Sequence, residues 1–178
     1  MLSGIFLCIL ECILFPQALA ISRNHDSGET LNKMLDFLSR SNINVLNDEH
    51  VIIDSRLTLI GRLDGSPIGG YGDMSRKDLR EIMPQTDGTL PVVVLDHNPA
   101  NIGEYGSEVD LVLSGHTHKG QIFPGSLFTK TMFDADYGHY QKDESSPHLV
   151  VSSGAGTWGM PMRVGTDSEI VSIKFCGP

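Results

Sequence analysis

Apolar and polar positions alternate along this chain in several distinct rhythms, and each rhythm predicts an element. Leu31, Met34, Leu35 and Leu38 recur at i, i+3, i+4 and i+7, which predicts an amphipathic helix within 28–41. Before it, "QALAIS" predicts a short strand that runs into the polar loop "RNHDSGE". The β-rich runs "HVIID" and "LTLIGRL", separated by Asp54-Ser55-Arg56, predict a hairpin. In "SRKDLREIM", Ser75 and Asp78 have capping-box spacing and Leu79, Ile82 and Met83 share one helical face. "PVVVL" is a continuous apolar run, suited to a strand covered on both sides, and "DLVLS" and "HLVVS" repeat that arrangement. "EIVSIKF" alternates and predicts a last strand. Strands and helices interleave through the middle and strands dominate the end, the order of an α/β layered domain. The chain has no internal repeat and no low-complexity tract.

Composition narrows the classes this domain can belong to. The chain has 178 residues, 40% hydrophobic and 20% charged, enough for one globular core and unlike a disordered chain. A formal charge of −9 without clustered Lys or Arg argues against nucleic acid as a stable partner. An acidic protein can still handle phosphate when bound cations supply the positive charge. Cys8, Cys12 and Cys176 form neither a disulfide framework nor a CxxC pair, which fits a reducing, cytoplasmic setting. The N-terminal segment 1–21 contains an apolar stretch, Ile5 to Phe15, ahead of Ala18-Leu19-Ala20. It resembles a signal peptide in outline, yet no Lys or Arg precedes it and Glu11 interrupts it. Buried core is the preferred expectation, with a signal or a membrane-peripheral anchor as the alternative.

The candidate chemistry sits where predicted strands end. Asn24, His25 and Asp26 follow the first apolar run, Asp96, His97 and Asn98 follow "PVVVL", and His116 and His118 follow "DLVLS". Ligands of layered α/β sheets collect beyond the carboxyl ends of strands, so three segments direct metal-competent side chains to one edge. In extended chain, residues two apart lie on one side, so His116 and His118 are expected to approach a metal site together. Each segment alone has a plainer reading. Asn-His-Asp also makes an Asx turn or a helix cap, and His97 before Asn98-Pro99 is equally a loop histidine. His50 and His139 have no second polar partner nearby in the sequence and read as surface residues.

Together, "SRNHDSGE", "VVVLDHNP", "LVLSGHTHKGQ" and "VSSGAGTWGMPMRVGTDSEIVSIKF" resemble the carboxyl-terminal half of calcineurin-like metallophosphoesterases over residues 22–175. The nearest branch includes small bacterial phosphodiesterases and UDP-diacylglucosamine pyrophosphatase-like enzymes. The resemblance implies an incomplete four-layer α/β/β/α sandwich in residues 22–178 and two divalent ions, Mn, Zn or Fe, at the sheet edge. It implies that Asn24, His97 and His116 ligate one ion and that His118 belongs to the other. It places His25 beside the leaving group of a phosphodiester or pyrophosphate substrate, oriented by Asp26.

The family's Asp-x-His and Gly-Asp motifs do not precede Asn24, and Arg23 stands where the family has glycine. The expectation is therefore a domain beginning midway, which holds two ions, one or none. Its alternative function is an inactive fragment that binds a single metal or another chain. An uncovered sheet face would favour self-association. Tyr71, Tyr105, Trp158 and Arg163 are candidates to line a substrate groove, Arg163 by pairing with a phosphate oxygen. A zinc amidohydrolase is the weaker alternative for His-x-His, because that pair belongs early in a longer barrel chain.

Overall fold

The computed structural model describes residues 7–8, 18–22 and 31–176. Two sheets organise them. The smaller has the order β1-β2-β3, from Leu7–Cys8, Ala18–Ala20 and Ile43–Val45. The helix α1, Leu31–Arg40, connects β2 to its parallel neighbour β3. The larger sheet has the order β4-β5-β6-β7-β9-β8. Its strands are β4 (Glu49–Ile53), β5 (Leu57–Gly61), β6 (Val92–Leu95), β7 (Leu111–Ser114), β8 (Gly138–Tyr140) and β9 (His148–Val151). Strands β5, β6, β7 and β9 run parallel, and the antiparallel β4 and β8 close the edges.

Burial on both faces explains why "PVVVL" shows no alternation. Val92 and Val94 join Ile60, Val112, Leu149 and the helix α2 (Leu79–Ile82) in one core. Val93 and Leu95 turn the other way, onto Leu19, Ile21 and Leu46 from the smaller-sheet side. The two sheets therefore share a core, and the fold is an α/β sandwich. The α1 stripe read from the sequence is its inner face, with Leu31, Met34 and Leu35 against Leu63 and Tyr71.

Several elements differ from their sequence reading. The capping box uses Asp78 and Glu81 rather than Ser75 and Asp78. Asp78 Oδ1 accepts from Arg80 N at 2.9 Å, and Glu81 Oε1 accepts from Asp78 N at 3.0 Å. That helix is one turn long and passes into a 3-10 turn at Met83–Gln85, where Pro84 removes an amide donor. "EIVSIKF" forms no strand. Alternation marks a face, but a strand also needs a paired backbone, and Glu169 is instead drawn onto Ser152 and Ser153 while Ile170 is 89% exposed. His139 is not a solitary surface histidine, because its Nε2 lies 2.9 Å from Nδ1 of His148 across the β8–β9 hairpin. Helix α3, Gly125–Met132, has no apolar stripe toward the core, so no hydrophobic rhythm announced it. Among the described residues, no helix is long and apolar enough to cross a membrane.

Candidate metal centre

Parallel pairing delivers the carboxyl ends of β5, β6 and β7 side by side. The ladder continues past the strands: Arg62 N donates to Leu95 O at 2.9 Å, Asp96 N to Leu113 O at 3.1 Å and Gly115 N to His97 O at 3.0 Å. His97 therefore emerges from β6 next to His116 from β7. Nε2 of His97 and Nδ1 of His116 stand 3.3 Å apart with their rings nearly perpendicular. His97 is buried.

Two buried carboxylates, Asp64 and Asp96, leave the same strand ends. Asp96 is fully buried, and its Oδ2 accepts from Arg76 Nη2 at 2.7 Å, Tyr105 Oη at 2.5 Å and Asn101 Nδ2 at 3.2 Å. Burial opposes the charge on Arg76, but Asp96 foremost, together with Tyr105 and Glu104, outweighs it and the guanidinium is held more firmly protonated. Burial, and then the Asp96 charge, push the Tyr105 hydroxyl up, so Tyr105 remains a donor. Asp64 follows β5 and is 1% exposed. Its Oδ1 accepts from Ser66 N at 2.8 Å, whereas Oδ2 is buried with no hydrogen-bond partner among the described residues. Burial raises the Asp64 carboxyl pKa, and Asp96 adds to the rise, against the opposing fields of His116 and Arg76.

Neutral imidazole nitrogens are cation-competent groups, and relatives of this chain carry a metal-enzyme family name. An uncharacterized metallophosphoesterase of Helicobacter pylori (strain ATCC 700392 / 26695) is 34% identical over 161 residues, 85% of this chain and 40% of that protein. One from Aquifex aeolicus is 34% identical over 159 residues, covering 89% of this chain and 60% of its own length. One from Campylobacter jejuni is 35% identical over 159 residues, 86% of this chain and 41% of that protein. The similarity supports the metallophosphoesterase family. The chain spans between about two-fifths and three-fifths of the length of these relatives. No protein-family model and no solved structure matches it.

Metallophosphoesterases are hydrolases that use divalent metal, and the imidazole pair here suits a cation. Two nitrogens each about 2.0–2.1 Å from one tetrahedral ion lie about 3.3–3.4 Å apart. The observed 3.3 Å fits. Among the described residues no three His, Cys, Asp or Glu side chains close on one point. Asn24, His25, Asp26 and the neighbouring Arg23 lie outside the described residues.

The His-x-His segment is not extended, which corrects the reason for expecting both rings on one side. His116, His118, Lys119 and Gln121 all have positive φ, of 65°, 49°, 52° and 45°. Each such residue costs on the order of 1–3 kcal/mol, so the loop needs outside support. The carboxyl-terminal segment provides it. Gln121 Nε2 donates to Trp158 O at 2.7 Å, Trp158 N returns a bond to Gln121 Oε1 at 2.5 Å, and Thr166 Oγ1 donates to Gln121 O at 2.9 Å. Arg163 donates to the carbonyls of His118, Ser153, Gly154 and Gly156 at 3.1, 2.6, 3.1 and 2.5 Å. "GTWGMPMR" thus braces the loop through hydrogen bonds of Trp158 and Arg163, with Arg163 also held on Gly156 O, while Trp158, Met160 and Met162 are themselves exposed.

The same geometry separates the two histidines. His116 meets His97, while Nδ1 of His118 faces Arg163 Nη2 at 3.4 Å. A guanidinium carries only donors, so this contact is a hydrogen bond only in the tautomer whose Nδ1 accepts and whose Nε2 carries the proton. Ligation by His118 through Nε2 would require that arrangement to change. Tyr71 and Tyr105 are buried, and Trp158 is 59% exposed. Sequence reasoning missed Asp64 and Arg76 as site residues. Asp64 closes the run "LTLIGRLD" as Asp96 closes "PVVVLD", and that repeated strand-end carboxylate was the available signal.

Proposed function

We propose that this chain is a metal-dependent phosphoesterase that hydrolyses a phosphodiester or pyrophosphate. The observation that carries this reading is the 3.3 Å approach of His97 Nε2 and His116 Nδ1 at the ends of adjacent parallel strands. A divalent cation, Mn, Zn or Fe, supplies Lewis acidity at the phosphoryl oxygen and a more acidic water. His97 and His116 would hold it together with Asn24, and His118 would serve a second cation. Arg76, Tyr105 and Asn101 keep the Asp96 carboxylate in place beside His97. Asp64 and Asp96 add buried negative charge that favours a cation over a neutral occupant. In this reading His25, oriented by Asp26, protonates the leaving oxygen, a role worth roughly 10²–10⁴ in rate.

The test is hydrolysis of bis-p-nitrophenyl phosphate by the purified, folded protein with added Mn²⁺. The expected result is turnover that His116→Ala abolishes together with bound metal, and that His25→Ala lowers by 10²–10⁴ with metal content retained. Turnover no greater than a metal-only blank would remove the catalytic reading.

One observation favours a second reading, an inactive protein that binds a single cation: among the described residues no third His, Cys, Asp or Glu joins His97 and His116. Titration calorimetry separates the two, since two ions per chain support the phosphoesterase and one supports the alternative.

A further inference from the structure

Arg76 lies in the loop before α2, and its side chain reaches two strands to which it does not belong. Nη1 donates to Leu63 O at 2.5 Å, one residue before Asp64. Nη2 donates to Asp96 Oδ2 at 2.7 Å, one residue before His97, and to Glu104 Oε2 at 2.7 Å. It also approaches the Tyr105 hydroxyl oxygen at 3.1 Å, whose own proton goes to Asp96. One planar group therefore touches the ends of both β5 and β6.

The arginine is itself held from behind. Arg62 is fully buried; its Nη2 donates to Lys77 O at 2.8 Å, and its Nε lies 3.2 Å from Asp48 Oδ1. The other oxygen of Asp48 accepts from Lys77 N at 2.8 Å. The backbone next to Arg76 is fixed by two buried charges before its side chain crosses to the site. A lysine could not replace this fork, because an ammonium is a compact point charge without the paired, rigid donors of a guanidinium.

We infer that Arg76 is a positioning residue, which locks the carboxyl ends of β5 and β6 together and so sets how Asp64 and His97 are presented to His116. Without it, the buried Asp96 loses its cation and the carboxylates of Asp64 and Asp96 repel each other across the two strand ends. The inference rests on the metal-dependent reading of the His97–His116 pair.

Three full-chain variants, Arg76→Met, Arg76→Lys and Tyr105→Phe, test it alongside wild type. Co²⁺ titration followed in the visible spectrum reads the site, thermal melting checks the fold, and backbone hydrogen exchange reads residues 61–66 and 96–98. Arg76→Met is expected to weaken Co²⁺ binding 10- to 100-fold and alter the spectrum, the range seen when a partner behind a metal ligand is removed. Arg76→Lys, which keeps the charge opposite Asp96, is expected to recover part of the affinity. Tyr105→Phe removes one bond to Asp96, and a smaller loss in the same direction is expected even if Arg76→Met does not fold. A folded Arg76→Met protein with wild-type Co²⁺ affinity and spectrum would overturn the inference. If wild type binds no Co²⁺, the metal-dependent reading fails, and the lock is judged by exchange alone. Faster exchange at both strand ends in Arg76→Met supports it, and a change at one end or neither overturns it.

Discussion

Asp64 is buried with one carboxylate oxygen lacking a hydrogen-bond partner among the described residues. Its folded-state pKa is raised, chiefly by burial, above the ordinary 3.8. The native metal-free protein thus holds this proton more tightly than the unfolded chain. Stability is greatest below the unfolded value and falls as pH rises through the folded one. Asp64→Asn keeps an acceptor for Ser66 N and removes the charge. In EDTA at pH 7.5 it is expected to raise Tm by a few degrees, where about 1 kcal/mol corresponds to 2–4 °C at this size. The gain should vanish below pH 3.8, so a pH-independent difference in melting curves would contradict the mechanism. His97 and His116 were legible as candidates because strand-end histidines stand out in a sequence. Their pairing was implied only by the family resemblance and not by any local pattern, since it depends on a ladder between strands that lie about twenty residues apart.

Elements with a strong local rhythm were legible, and those that depend on a partner were not. The stripe of α1 follows from a period of 3.6 in the chain itself, and the β4–β5 hairpin from two β-rich runs around a turn. Asp54-Ser55-Arg56 also falls at the observed turn between those strands. "EIVSIKF" has the period of a strand, but no edge among the described residues pairs with it. The His116–Gln121 loop departs furthest from expectation, because its left-handed residues are supported from Trp158, Arg163 and Thr166, some 40 residues away. Gly61 shows the same dependence at the end of β5. A side chain there would overlap Leu46 Cβ and approach Leu46 O to 2.8 Å. Gly61→Ala is therefore expected to cost about 1–3 kcal/mol in urea unfolding, as overpacking typically does. A change below 0.5 kcal/mol would show that the smaller-sheet side yields there.

At the scale of the molecule, a cation that binds only the folded site must stabilise the whole domain. Saturation to a hundred times Kd is worth about 2.7 kcal/mol. Mn²⁺ or Zn²⁺ should accordingly raise Tm, EDTA should reverse the rise, and His97→Ala should abolish it. A shift that survives in His97→Ala would place the cation elsewhere. The amino-acid sequence alone determined the α/β class, the fully covered central strand, the apolar stripe of α1 and the strand-end histidines, because each follows from side-chain chemistry and short-range periodicity. The tertiary structure decided which carboxylates follow the same strand ends as His97 and His116, and what Arg76 and Arg163 hold. Those outcomes depend on strand order and on buried charges finding partners far along the chain, and no local pattern encodes either.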